Sequence, residues 1–164
     1  MSASGLHIRE ATRRDDEFLA AIIRHGFRDV ADRFNLTPQN CPTHPSNCTR
    51  QWIESAMAKG TVYYVAEEGG EPCGCVALEH AEPDVCYLER LAVSPHHRRL
   101  GIGTALVCHV LSQSRRMKVR RVELAIIAQH AELREWYEKL GFVKMYTRSF
   151  DHLPFDVTFM SRDL

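Results

Sequence analysis

Val93-Ser94-Pro95-His96-His97-Arg98-Arg99-Leu100-Gly101-Ile102-Gly103-Thr104 follows an apolar run, Cys86 to Val93, and leads into Gly101 to Arg116, where Ile102, Ala105, Leu106 and Val110 recur at helical spacing. A strand that turns into a helix through two glycines leaves the first helical amides unpaired, and the missing side chains let a bulky anion come close to them. The positive end of the helix dipole favours phosphate oxygens there, and Arg98 and Arg99 add charge-assisted donors. The spacing matches neither the three-glycine dinucleotide fingerprint nor a P-loop with its Lys-Ser/Thr, which disfavours nicotinamide and nucleoside triphosphate ligands. Two glycines alone also suit an ordinary surface turn with solvated arginines, so the flanking sequence has to decide.

Downstream, Val122 to Ile127 reads as a strand, and strand, helix, strand in that order is a parallel crossover. Upstream, Val62 to Glu67 and Cys73 to Glu79 are rich in β-formers and are joined by Glu68-Gly69-Gly70-Glu71, a hairpin signature. Leu6 to Arg9 is a further short strand. Asp15 or Asp16 can cap a helix carrying Phe18, Leu19, Ile22 and Ile23, and Trp52, Ile53, Ala56 and Met57 share one face of a helix that follows Thr49 and stops at Gly60. Between these helices, Asn35 to Cys48 is polar and proline-bearing, hence a loop. Glu132 to Lys139 reads as a short helix ended by Gly141, with Phe142 to Ser149 and Phe155 to Met160 as closing strands. The expected class is α/β, of the α+β mixed-sheet kind: six to seven strands with helices on both faces.

Composition sets the bounds. A chain of 164 residues with 45% hydrophobic and 26% charged types fits one domain over residues 1–164, burying roughly 70% of the surface its unfolded form exposes. Its 21 basic and 21 acidic residues cancel, leaving no net field to draw nucleic acid or anionic lipid. The longest apolar runs, such as Leu124 to Ala128, are far short of the ~20 residues a membrane-spanning helix needs. Met1 to Glu10 has no signal-like pattern, so a cytoplasmic address is expected, and the six cysteines read as reduced thiols, four of them packing within apolar stretches. No repeat or low-complexity segment appears.

Within the Cys86 to Val93 strand, the adjacent charges Glu89 and Arg90 are expected on opposite faces of the sheet, at least one of them half-buried. A carboxylate in that position has its pKa raised by desolvation unless it is paired, which suits a general base acting on an amine. The alternative is simple pairing with neighbours at a sheet margin.

Arg98-x-x-Gly101-x-Gly103 after Leu91-Ala92-Val93 resembles the acyl-coenzyme-A pyrophosphate loop of the GNAT superfamily of N-acetyltransferases, and Trp136-Tyr137-Glu138-Lys139-Leu140-Gly141-Phe142 is similar to that family's last helix and following strand. The order of elements fits over nearly the whole chain. The resemblance implies a GNAT-like fold and direct transfer of an acetyl group from acetyl-coenzyme A to a primary amine. It also implies that the backbone of Leu91, Ala92 and Val93 bonds the pantetheine arm, while Arg98, Arg99, Leu100, Gly101, Ile102, Gly103 and Thr104 hold the pyrophosphate. Tyr87-Leu88-Glu89 resembles the same strand in diamine acetyltransferases, which makes Glu89 the candidate base. Tyr137 becomes the candidate acid for the departing thiolate, although a buried aromatic beside Trp136 and Phe142 would serve packing equally well. His130 stands where the family commonly has a cofactor-contacting Asn, and imidazole could supply a donor.

The resemblance places acceptor choice on Asn35 to Cys48 and on Phe150 to Phe155, where Phe150, Asp151, His152 and Phe155 offer apolar and polar contacts; a rigid connector and a turn are the plainer readings of the two loops. The acceptor itself stays open between a small-molecule amine and a protein or peptide amine, and a homodimer is compatible with the family. Cys41-x-x-His44-x-x-x-Cys48 supplies only three ligand types on a loop stiffened by Pro42 and Pro45, so no metal is expected. Arg115, Arg116, Lys118, Arg120 and Arg121 read as a solvated helix end rather than a nucleic-acid patch. Two rivals remain, a non-catalytic acyl-coenzyme-A-binding module and a basic-patch adaptor for RNA or protein.

Overall fold

The computed structural model describes residues 5–164, so the export reading of Met1 to Glu10 falls partly outside the described residues. Seven strands form one mixed sheet in the order β1-β2-β3-β4-β5-β7-β6: β1 (Leu6–Glu10), β2 (Val62–Glu68), β3 (Glu71–Glu82), β4 (Val85–Val93), β5 (Arg121–Ile127), β6 (Val143–Arg148) and β7 (Val157–Asp163). Five α-helices accompany them: α1 (Asp16–Gly26), α2 (Arg28–Arg33), α3 (Arg50–Ala58), α4 (Ile102–Arg116) and α5 (Ala131–Lys139). The class is that expected from the sequence.

Local chemistry explains the element ends. At the β2–β3 turn Gly69 and Gly70 both take positive φ, 59° and 83°, the requirement of a tight hairpin turn that twists with its strands. Thr49 caps α3 by accepting the Trp52 amide at 3.3 Å. The start of α1 corrects the expected aspartate cap: Asp15 makes no side-chain cap to α1, and the reciprocal box instead joins Thr12 and Asp15 around the preceding turn.

Strand alternation divides the core between the two faces. Tyr63, Val65, Cys75 and Ala77 pack under α1 and α3 with Leu19, Ile23 and Ile53. Tyr64, Ala66, Val76 and Leu88 point the other way, against Leu106 and Val110 of α4 and Tyr137 of α5. Five of the six cysteines are buried and Cys108 alone is exposed, so the thiols of the 35–48 loop, Cys41 and Cys48, are packing residues as well. No helix among the described residues is long and apolar enough to cross a membrane.

Strand β4 is irregular along both edges. It pairs with β5 in parallel only over Val85, Cys86 and Tyr87, so from Leu88 to Val93 the edge facing β5 has no strand partner. On its other edge the ladder with β3 matches Ala77 to Glu89 but Cys75 to Ala92, leaving one residue too many in β4. The extra residue is Arg90, which sits at φ 51° and makes the strand bulge.

Candidate active site

The bulge overturns the expectation that Glu89 and Arg90 lie on opposite faces. A left-handed residue breaks strict alternation, and both side chains enter one cleft of about 490 Å³ on the α3 face, lined also by Trp52, Tyr63, Ala77 and Glu79. Arg90 donates from Nη1 to the Tyr63 hydroxyl, and its guanidinium carbon lies 5.7 Å from the centre of the Trp52 indole. Glu79 stands two residues along β3 from Ala77, the partner of Glu89, and so is its diagonal neighbour on the same face. Burial, followed by the adjacent Glu79 carboxyl, pushes Glu89 up to about 7, with Arg90 pulling the other way. A carboxylate in that range can accept a proton near neutrality.

The second cleft is smaller, about 170 Å³, and lies at the far end of β4, lined by Val93, His97, Arg98, Arg99, Gly101, Ile102, Gly103, Thr104 and Trp136. Gly101 caps α4 at φ 80°, a backbone that a side chain would strain. The amides of Ile102, Gly103 and Thr104 in the first helical turn have no intrahelical acceptor, which makes this end of α4 competent for an anion. A Cβ on Gly103 would lie 3.4 Å from the Trp136 ring, so the glycine lets that indole close one wall. Leu100 is exposed beside it, outside the lining.

Arg98 is less free than its sequence position suggests. Its guanidinium donates to Asp29 at 2.6 Å, to the Gly26 carbonyl at 3.1 Å and to the Val93 carbonyl at 3.4 Å, tying the α1–α2 corner to the loop. His130 is likewise engaged: its Nδ1 accepts the Leu133 amide at 3.4 Å and caps α5, and its ring lines neither cleft. Burial and then Arg33 lower its pKa, keeping the acceptor form of the ring.

Tyr137 is buried between Trp136 and Phe142, with ring centres 4.9 and 5.5 Å away in edge-to-face contacts. Burial pushes its phenol well above 10, so it stays neutral at any working pH. It lines neither cleft. The two loops expected to serve the acceptor line neither cleft and meet each other, Leu36 and Cys41 packing with Leu153 and Phe155 around Ile127, while Cys48 at the end of the first packs with Tyr63 and Ala77 of the Glu89 cleft. Phe150 meets His152 edge-on, ring centres 5.7 Å apart, under Arg148, while Asp151 and His152 are exposed. Within the first loop, His44 Nδ1 bonds the Ser46 hydroxyl, and among the described residues no three His, Cys, Asp or Glu converge as a metal-binding set.

Glu79, Arg90 and Trp52 line the cleft, although the sequence pattern gives none of them a functional role. Counting from the turn at Pro83-Asp84 would set Glu79 opposite Leu88, but an irregularity between His80 and Glu82 moves it opposite Tyr87 and so diagonal to Glu89; neither that irregularity nor the bulge that turns Arg90 inward has a glycine to announce it.

Comparison with known proteins agrees with this geometry. The family model described as the acetyltransferase (GNAT) family matches residues 27–142. An amino-acid acetyltransferase of Neisseria meningitidis is 30% identical over 148 residues, 90% of this chain; the chain spans only 29% of that relative's length. The uncharacterised N-acetyltransferase YjgM of Escherichia coli is 28% identical over 82% of this chain and 80% of its own. The yncA protein of Salmonella typhimurium, solved with its cofactor acetyl-CoA, superposes with a TM-score of 0.72 at 21% identity, over 98% of this chain and 95% of that one. With the glycine-opened helix, the interrupted β4–β5 ladder and a family match over most of its length, this chain belongs to the GNAT acetyltransferase family.

Proposed function

We propose that this protein is an acetyl-coenzyme-A-dependent N-acetyltransferase that transfers the acetyl group directly to a primary amine. The observation that carries the reading is the unpaired edge of β4, which runs from Glu89 in one cleft to Val93 in the other. An extended amide-bearing arm can add to such an edge as a further strand would, while its diphosphate end reaches the amides of the α4 N-terminus. Leu91, Ala92 and Val93 supply the main-chain partners and Arg99, Gly101, Ile102, Gly103 and Thr104 surround the phosphates. Arg98 lines the same cleft and anchors the loop to the α1–α2 corner through Asp29 and Gly26.

The transfer follows from the residues at hand. An amine with a pKa near that of lysine, about 10.4, arrives as ammonium and must lose a proton before it can attack. Glu89 takes that proton, directly or through water, and its position near 7 suits the task. The freed lone pair attacks the thioester carbonyl and a free β4 amide near Leu91 steadies the oxyanion; the nitrogen then gives up its second proton to water, and as the oxyanion collapses the carbon–sulfur bond breaks, leaving the amide and the coenzyme thiolate. Tyr137, kept protonated by burial though weakened as an acid by it, is the proton source assigned to the departing thiolate, an assignment that Tyr137→Phe tests. No enzyme nucleophile is required: the buried cysteines have thiol pKa values raised by desolvation, as at Cys41, Cys48, Cys73 and Cys86, which disfavours the thiolate.

The test is an acetylation screen across amines, reading thiol release from acetyl-coenzyme A. Turnover of at least one amine supports the proposal; tight cofactor binding without turnover of any would favour a binding module instead.

A further inference from the structure

The cleft beside Glu89 contains more than proton removal requires, and what it contains bears on the acceptor; this step rests on the N-acetyltransferase reading. Arg90 projects into it from the bulge, held by the Tyr63 hydroxyl and the face of Trp52. Most arginines whose guanidinium lies near acidic residues in this protein pair with them, as Arg9 does with Asp15 and Glu67 and Arg50 with Asp16 and Glu54. Arg90 takes part in none of the ion pairs among the described residues, although Glu79 and Glu89 line the same cleft. Its fork is thus fixed in direction, half-buried, and left with donors uncommitted.

We infer that the acceptor is zwitterionic, an amine carrying its own carboxylate in the same small molecule, as an α-amino acid does. The Glu79–Glu89 side of the cleft receives the ammonium, and the Arg90 guanidinium receives the carboxylate. A planar guanidinium matches a carboxylate with two parallel hydrogen bonds, and stacking on Trp52 fixes the plane in which they form. The cleft's own charges oppose the main alternative: a diamine or polyamine would bring a second cation to a space that already holds Arg90 and, at its rim, Lys59. A volume of about 490 Å³ accommodates an amino acid with its side chain.

The experiment compares matched triplets with the full-length protein and acetyl-coenzyme A: an amino acid, its α-carboxamide, and the amine lacking the carboxyl group. Phenylalanine, phenylalaninamide and 2-phenylethylamine form one such set, and glutamate-, lysine- and leucine-based sets cover other side chains. In at least one set the carboxylate-bearing member should show a kcat/KM at least tenfold above both others. Arg90→Gln should erase that ratio mainly through KM for the carboxylate-bearing member, and Arg90→Lys, which keeps the charge but not the fork, should retain part of it. Calorimetric affinity for acetyl-coenzyme A checks that both variants are folded. If a variant does not fold, the wild-type ranking decides alone. Equal or reversed ranking in every set, or an Arg90→Gln loss equal across all three members, overturns the inference and leaves the acetyltransferase reading standing. No turnover of any amine by protein that binds acetyl-coenzyme A overturns both.

Discussion

Replacing Glu89 by glutamine keeps its size and removes its basicity, so the consequence for turnover can be isolated. General catalysis of this kind is worth roughly a hundred- to ten-thousand-fold. Glu89→Gln should lower kcat within that range while calorimetric affinity for acetyl-coenzyme A stays within twofold. The pH profile follows from the burial of Glu89, with Glu79 beside it adding to the rise and Arg90 opposing it: activity should rise through a pH of about 7 as Glu89 deprotonates, and that inflection should vanish in the variant. Stability moves in the other direction. Because the folded-state pKa lies above the ordinary 4.5, the contribution of Glu89 is fully present below 4.5 and is lost as pH rises through about 7. Glu89→Gln should therefore be more stable to denaturant than wild type at pH 8, by roughly 1–3 kcal/mol, and match it near pH 4. Tyr137→Phe keeps both edge-to-face contacts and should cost at least tenfold in kcat; a smaller loss, with chemistry rate-limiting, returns Tyr137 to the core as a packing residue. Glu89 is legible in the sequence because a carboxylate in an apolar strand is conspicuous. The company it keeps is not, since Arg90 reaches it through a left-handed residue that propensity alone would not place there.

At the scale of elements, the glycine-opened start of α4 is legible because its chemistry is local: φ 80° at Gly101 and unpaired amides after it depend on a few neighbouring residues. Gly101→Ala should strain that turn by about 1–2 kcal/mol and weaken acetyl-coenzyme A at least tenfold by calorimetry. Gly103→Val acts differently, by pushing the Trp136 ring away, and pairing it with Trp136→Ala should recover part of the lost affinity. Arg98 lines the cleft where the loop pattern puts it, and its side chain also braces the α1–α2 corner; that second role depends on Gly26 and Asp29, some seventy residues away in sequence, which no local pattern reveals. The short helix α2 is hidden for a related reason. Six residues with one buried side chain, Ala31, present no periodicity to find.

For the molecule as a whole, the strand order and the two-faced core are implied by alternation and by the parallel crossover, whereas the early end of the β4–β5 ladder is a tertiary outcome that neither strand's sequence states. The division of the thiols gives a simple check on the packing. Under native conditions a thiol-specific reagent should titrate one cysteine, Cys108, at once, and the other five only after denaturant is added. More than one fast thiol would mean that the layers around Cys41, Cys48, Cys73, Cys75 or Cys86 open readily.

The bulge at Arg90 has a meaning for descent. Glu89 faces Ala77 and Ala92 faces Cys75, so the ladder on either side keeps its count whether or not the intervening extra residue is present. A single-codon deletion there would remove the guanidinium while leaving every other strand pairing in phase, and a single-codon insertion could restore it. Acceptor preference in this lineage could thus be gained or discarded in one genetic step, without the chain of compensating substitutions that a change elsewhere in a central strand would demand.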